Sequence, residues 1–143
     1  MIKIAHRGNT NGINLDKENH PDYIDDAINN GFDSEIDIWL QGRRLYLGHD
    51  EPKYAIDKDW LFLRSEKLWC HAKNIDALNW LLRWDRINCF WHQEDNYTIT
   101  SKKFIWTTNY FLSDKLIFVS PNLKINESKN NYNCVGICSD YFS

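Results

Sequence analysis

The stretch GFDSEIDIWL, residues 31–40, decides how the chain is read. It alternates as a strand does, with neighbouring side chains on opposite faces. Ile36 and Ile38 share one face, suited to packing under helices. Glu35 and Asp37 share the other, roughly 7 Å apart along the strand. Two carboxylates on an inward face are costly unless a positive charge sits between them. A hard divalent cation, Mg2+ or Ca2+, meets that need with oxygen ligands. An edge strand with both carboxylates in water fits the same letters, so the segment alone leaves both readings open.

Seven further apolar segments read as strands: residues 2–6, 45–49, 68–72, 88–92, 104–107, 116–120 and 135–138. Residues 34–38 make the eighth. A helix is predicted from Pro21 to Asn30: Pro21 suits the first helical position, Asp22, Asp25 and Asp26 favour the positive dipole end, and Gly31 suits the stop. A second helix is predicted over Ile75–Trp84 with Asn74 as its cap, and a shorter one over Lys58–Arg64. Residues 93–103, 109–115 and 121–133 are polar and read as loops.

Strands alternating with helices imply a parallel sheet. The expected fold is α/β, a minimal (β/α)8 TIM-type barrel in one domain over residues 1–143, with several outer helices reduced or missing. Such barrels typically occupy about 250 residues. An open flavodoxin-like sheet competes, but it needs fewer strands and stronger helices in the second half. The last strands would lack helical cover. Aromatic loops bearing Trp106, Tyr110, Phe111 and Tyr132, or a second copy of the chain in a homodimer, would have to bury them.

The 143 residues carry a net charge of −3, from 17 basic and 20 acidic side chains, and 43% are hydrophobic. That is a globular composition. No basic stripe points to nucleic acid, no run is long enough to span a bilayer, and no signal peptide is visible after Met1, so the reading is cytoplasmic. Cys70, Cys89, Cys134 and Cys138 form no CxxC pair. They read as reduced, buried small hydrophobes, with a zinc site as the weaker alternative.

His6 and His49 end the first and third strands, where parallel barrels build their active sites, and form a candidate acid–base pair. Glu18, just before the first helix, is a candidate third oxygen ligand. Lys73, at the end of the fourth strand beside His71, would offer a cation to an anionic substrate. Each has a plain structural reading when taken alone: an exposed histidine, a helix-preceding acid, a solvated lysine.

Together, IAHRG (4–8), ENH (18–20), GFDSEIDIWL (31–40) and LYLGHD (45–50) resemble the glycerophosphodiester phosphodiesterase family of the phosphatidylinositol-phospholipase-C-like barrels. HAKN (71–74) resembles the family's Glu-x-Lys strand, and GICSDY (136–141) its final Thr-Asp strand. The resemblance implies a metal-dependent hydrolase of a small phosphodiester. His6 and His49 would be the general acid and base, and Arg7 and Lys73 would hold the phosphate. Glu18, Glu35, Asp37 and His71 would hold one divalent ion, Mg2+ or Ca2+, with Mn2+ or Zn2+ as alternatives. A lyase that stops at a cyclic phosphate, or a non-catalytic phosphate-ester-binding module, are the other outcomes. The chain departs from the pattern at His71, which replaces a glutamate, and at His20, which replaces a threonine. Only 17 residues separate Asp50 from Leu68, so the family's inserted subdomain has no room.

Overall fold

The strand expected at residues 34–38 is longer, β2 (Asp33–Gln41), and the sheet is organised around it. The computed structural model describes residues 1–122, 124–125 and 131–142. Among these, ten strands form one curled sheet. Besides β2 they are β1 (Ile2–His6), β3 (Arg44–Leu47), β4 (Tyr54–Ile56), β5 (Leu68–Ala72), β6 (Asn88–Phe90), β7 (Tyr97–Ile99), β8 (Ile105–Thr107), β9 (Leu116–Val119) and β10 (Gly136–Ser139). Seven run parallel, in the order β6-β5-β2-β1-β10-β9-β8. β5 pairs with β2 over residues 34–38. The opposite edge of β2 is shared: β1 takes residues 33–35, and β3 takes 38–41 in the antiparallel sense. This handover is why β2 outlasts its neighbours: Glu35 sits level with His6 at the end of β1, and Asp37 is carried past it.

Three helices cover one side: α1 (Pro21–Asn29), α2 (Lys58–Leu63) and α3 (Ile75–Leu81). Each is capped by a side chain that accepts a hydrogen bond from an early backbone N–H. The caps are His20 to Asp22, Asp57 to Trp60 and Asn74 to Ala77.

The expected (β/α)8 barrel is not what forms. The molecule is a mixed, curled half-barrel. The physical reason lies in the connections. Gly42 and Arg43 link β2 to β3 in two residues, at φ 58° and 66°. A two-residue link makes a hairpin, whereas a parallel crossover needs a dozen residues or more. β4 continues the antiparallel run on β3, and β7 is antiparallel to β8. No helix follows Leu81 among the described residues. The ends of the parallel set, β6 and β8, share no ladder.

Inside the curl pack Ile4, Trp69, Phe90, Trp106, Ile117, Val119 and Cys138. The outer face under the helices buries Ile24, Ile36, Ile38, Leu61 and Leu81. Outside β9 and β10, where the described residues include no helix, Leu116, Phe118 and Ile137 are roofed by loop residues. Tyr110 and Tyr132 lie edge-on to each other, ring centres 5.2 Å apart, and both rest on Phe118. Trp106 points inward, and Phe111 is exposed. Among the described residues no helix is long and apolar enough to cross a membrane.

Candidate functional site

At the carboxyl end of β1 the chain turns through Arg7, whose φ of 54° is left-handed, as is the 63° of Asn19. Such backbones cost on the order of 1–3 kcal/mol each and persist only where surroundings hold them. Here they hold each other. Arg7 N–H donates to the Glu35 carbonyl at 3.1 Å, and Asn19 N–H donates to the Arg7 carbonyl at 3.1 Å. The result swings the Arg7 guanidinium over β2. Its Nη1 lies 3.2 Å from Glu18 Oε2 and its Nε 3.1 Å from Asp37 Oδ2. Asn19 clamps Asp37 from the other side, its amide donating to Oδ2 at 2.8 Å while its oxygen accepts from the Asp37 N–H at 2.9 Å.

The alternation read in the sequence is real. Glu35 and Asp37 both face the inside and are buried, and β5 sets His71 directly opposite Asp37. His71 Nδ1 lies 3.2 Å from Asp37 Oδ1 and 3.7 Å from Glu35 Oε1. Its other nitrogen, Nε2, pairs with the carbonyl of His92 at 2.9 Å, which assigns the proton there and turns Nδ1 toward the carboxylates. Phe90 stacks on the imidazole at 5.1 Å.

These three residues fit a metal ion. One donor atom from each of Glu35, Asp37 and His71 lies within 4.8 Å of the others. Asp37 Oδ1 is buried with no aligned hydrogen-bond donor, although His71 Nδ1 is close. Buried polar atoms are seldom left so. A backbone carbonyl behind the ligating imidazole is also the usual support of a metal-bound histidine. The group holds four carboxylates, with Glu18, Glu35 and Asp37 around the Arg7 guanidinium and Asp140 on His6. With both imidazoles neutral that is four negative charges against one positive.

Without an ion the imidazoles take up that charge. Burial alone would lower the pKa of His71, but its contacts with Asp37 and Glu35 override this and push it up to about 9. Burial likewise opposes ionisation of Asp37, and the adjacent His71 ring and Arg7 guanidinium more than reverse it, holding the carboxyl below its usual range. His6 is also raised: burial lowers it, and Asp140 and then Glu35 outweigh that. His6 Nδ1 pairs with Asp140 Oδ1 at 2.9 Å, leaving Nε2 turned toward Glu35 at 4.0 Å. Asp140 in turn accepts from the Asn9 amide at 2.8 Å, which also reaches Glu18 at 2.9 Å.

The structure therefore brings together His6, Arg7, Glu18, Glu35, Asp37 and His71. A cavity of about 310 Å3 opens over this group, lined in part by His6, Arg7, Glu35, His71, His92 and Trp106. His49 stands apart. It is exposed, its Nδ1 2.7 Å from Asp50, and it lines a second cavity of about 420 Å3 with Arg7, Glu18 and Asn19. Only Arg7 lines both. Lys73 is half-buried, bonds Ile38 through its backbone N–H, and lines neither cavity. Asn9, Asn19, Asp140 and the His92 carbonyl were not anticipated as site groups. The ENH and SDY motifs held the only sequence signal for Asn19 and Asp140.

The fold and the site define a curled mixed sheet that gathers an acid–imidazole group with metal-ligand spacing at the carboxyl end of β1 and β2. No protein-family model, no curated protein and no solved structure matches the chain.

Proposed function

We propose that the protein is a metal-dependent phosphodiester hydrolase of the glycerophosphodiester phosphodiesterase type. The supporting observation is that His6, Arg7, Glu35 and His71 meet at one cavity, with Asp37 joining the cation-binding group behind it. His6 is the proton-transfer residue. Asp140 holds its Nδ1, so Nε2 takes a proton from the attacking hydroxyl or gives one to the leaving oxygen. Arg7, anchored through Nη1 and Nε by Glu18 and Asp37, offers its remaining N–H donors, chiefly those on Nη2, to a phosphate oxygen. Glu35, Asp37 and His71 would hold one divalent ion, Mg2+ or Ca2+, with Mn2+ or Zn2+ better suited to the nitrogen ligand. Such an ion stabilises charge on the phosphate as a Lewis acid. Because Arg7 lines both cavities, a phosphate placed on it would direct one ester arm toward His6 and the other toward His49. This makes His49 the second proton-transfer residue. Phosphate binding then falls chiefly to Arg7, since Lys73 lies outside both cavities.

The test is hydrolysis of bis(p-nitrophenyl) phosphate after EDTA treatment, with Mg2+, Ca2+, Mn2+ or Zn2+ restored one at a time. Turnover should require an ion and should drop at least 100-fold in His6→Ala. Turnover that ignores both EDTA and His6→Ala sinks the reading. Phosphorus NMR on natural phosphodiesters shows whether a cyclic phosphate persists, the lyase outcome. A second reading, a phosphate-ester-binding module, draws on the exposure of His49 in a separate cavity. It predicts ester binding without turnover in the same assay.

A further inference from the structure

A cavity of about 600 Å3 lies on the outer face of the β2–β3 hairpin and shares no lining residue with the two cavities beside His6 and His49. Its apolar wall is Leu40, Leu45, Ile56 and Trp80. Its charged wall is Arg43, Arg44 and Lys58. The one acid in the lining, Asp57, accepts from the Trp60 N–H at 2.7 Å and serves as the cap of α2. Among the described residues neither Arg43 nor Arg44 has a carboxylate within ion-pair distance, in a chain that carries more acids than bases. Lys58 lies over the rings of Phe62 and Trp84, 5.8 Å from each centre. Two uncompensated guanidinium groups at the lip of an apolar cavity are a matched pair of features. An anion satisfies the first, and an aliphatic or aromatic body satisfies the second.

We propose that this cavity is a second ligand site, for a small amphipathic anion. The carboxylate or phosphate head is held by Arg43 and Arg44, and the apolar tail lies against Leu40, Ile56 and Trp80. A planar fork prefers an oxyanion that accepts two parallel hydrogen bonds, which both head groups offer. Lys58 adds charge but is anchored over its rings.

Isothermal titration calorimetry with octanoate, octyl phosphate, octanol and inorganic phosphate tests this on the whole chain. One or both amphipathic anions should bind saturably, one per chain, and the stronger of the two names the head group. The double variant Arg43→Gln, Arg44→Gln should weaken that binding at least tenfold. Both positions are exposed at a hairpin end, so the fold should hold, and circular dichroism checks it. His6→Ala should leave the binding unchanged, which separates this site from the proposed phosphodiesterase chemistry. No saturable binding of either anion overturns the proposal. So does octanol or inorganic phosphate binding as tightly as the amphipathic anions, or an affinity indifferent to the double variant.

Discussion

At the scale of single residues, Asp37 carries the most. Its Oδ2 is held by Asn19 and Arg7, and its Oδ1 is buried without an aligned donor. Asp37→Asn keeps the shape and removes the charge, so Mn2+ affinity by calorimetry should fall at least 100-fold while circular dichroism stays unchanged. Affinity within a factor of three of the parent would remove Asp37 from the ligand set. His71 gives a pH test. Its folded pKa is raised to about 9 from an ordinary 6.5. The protonated form is therefore the stabilised one in the ion-free protein. That stability is fully present below about pH 6.5 and is lost as pH rises through about 9. In EDTA, the Tm should fall across that window, and His71→Gln should flatten the fall. A parent Tm that is level from pH 6.5 to 9 would contradict the assignment. Glu35 and Asp37 were legible because a strand's period of two puts them on one face. Asp140 was less so. It is 134 residues from His6, and only the pairing of β10 with β1 brings them together.

At the scale of elements, Asn74 joins α3 to β2. Its oxygen accepts from Ala77 N–H and Leu40 N–H, and its amide donates to the Leu40 carbonyl at 2.8 Å. Asn74→Ala removes a helix cap and orphans two strand groups, a loss of about 2–3 kcal/mol. Urea unfolding measures it, and a loss below about 0.5 kcal/mol would show that water replaces the amide. Gly48 controls the turn bearing His49. A Cβ there would sit 2.0 Å from the Glu51 carbonyl oxygen, on a backbone at φ +156°. Gly48→Ala should therefore destabilise the protein by about 2 kcal/mol or more through forced movement of residues 48–51. A neutral effect in the same urea experiment would mean that this turn is not built as described. The eight strands and three helices were readable from apolar spacing and caps. β4 and β7 were not: β7 lies inside the polar stretch 93–103 that reads as a loop, and β4 is a short YAI run set between charged residues. The sense of β3 was readable and was misjudged. The two-residue Gly42–Arg43 link marks a hairpin, and the barrel reading passed over it.

At the scale of the whole molecule, the short chain changes what holds the site. In a full barrel, helices brace every strand end. Here the second half relies on loop aromatics such as Tyr110 and Tyr132 over Phe118. The site itself gathers carboxylates from β2, the β1–α1 loop and the residue after β10 around one guanidinium and the His6 imidazole. Mutual repulsion among them opposes the curl that brings β1, β2, β5 and β10 together. An ion bound only by the folded chain offsets this, by about 2.7 kcal/mol when its concentration is 100 times the Kd. For a domain of this size that amounts to several degrees of Tm. Thermal unfolding at pH 7.5 should therefore rise by several degrees with millimolar Mn2+ or Mg2+ at constant ionic strength. The rise should vanish in both Asp37→Asn and Glu35→Gln. Potassium at equal ionic strength should not reproduce it, since screening acts on exposed charges at a distance and these are buried. If potassium matches the divalent ions, the stabilisation is general screening and the curl holds no ion between its carboxylates.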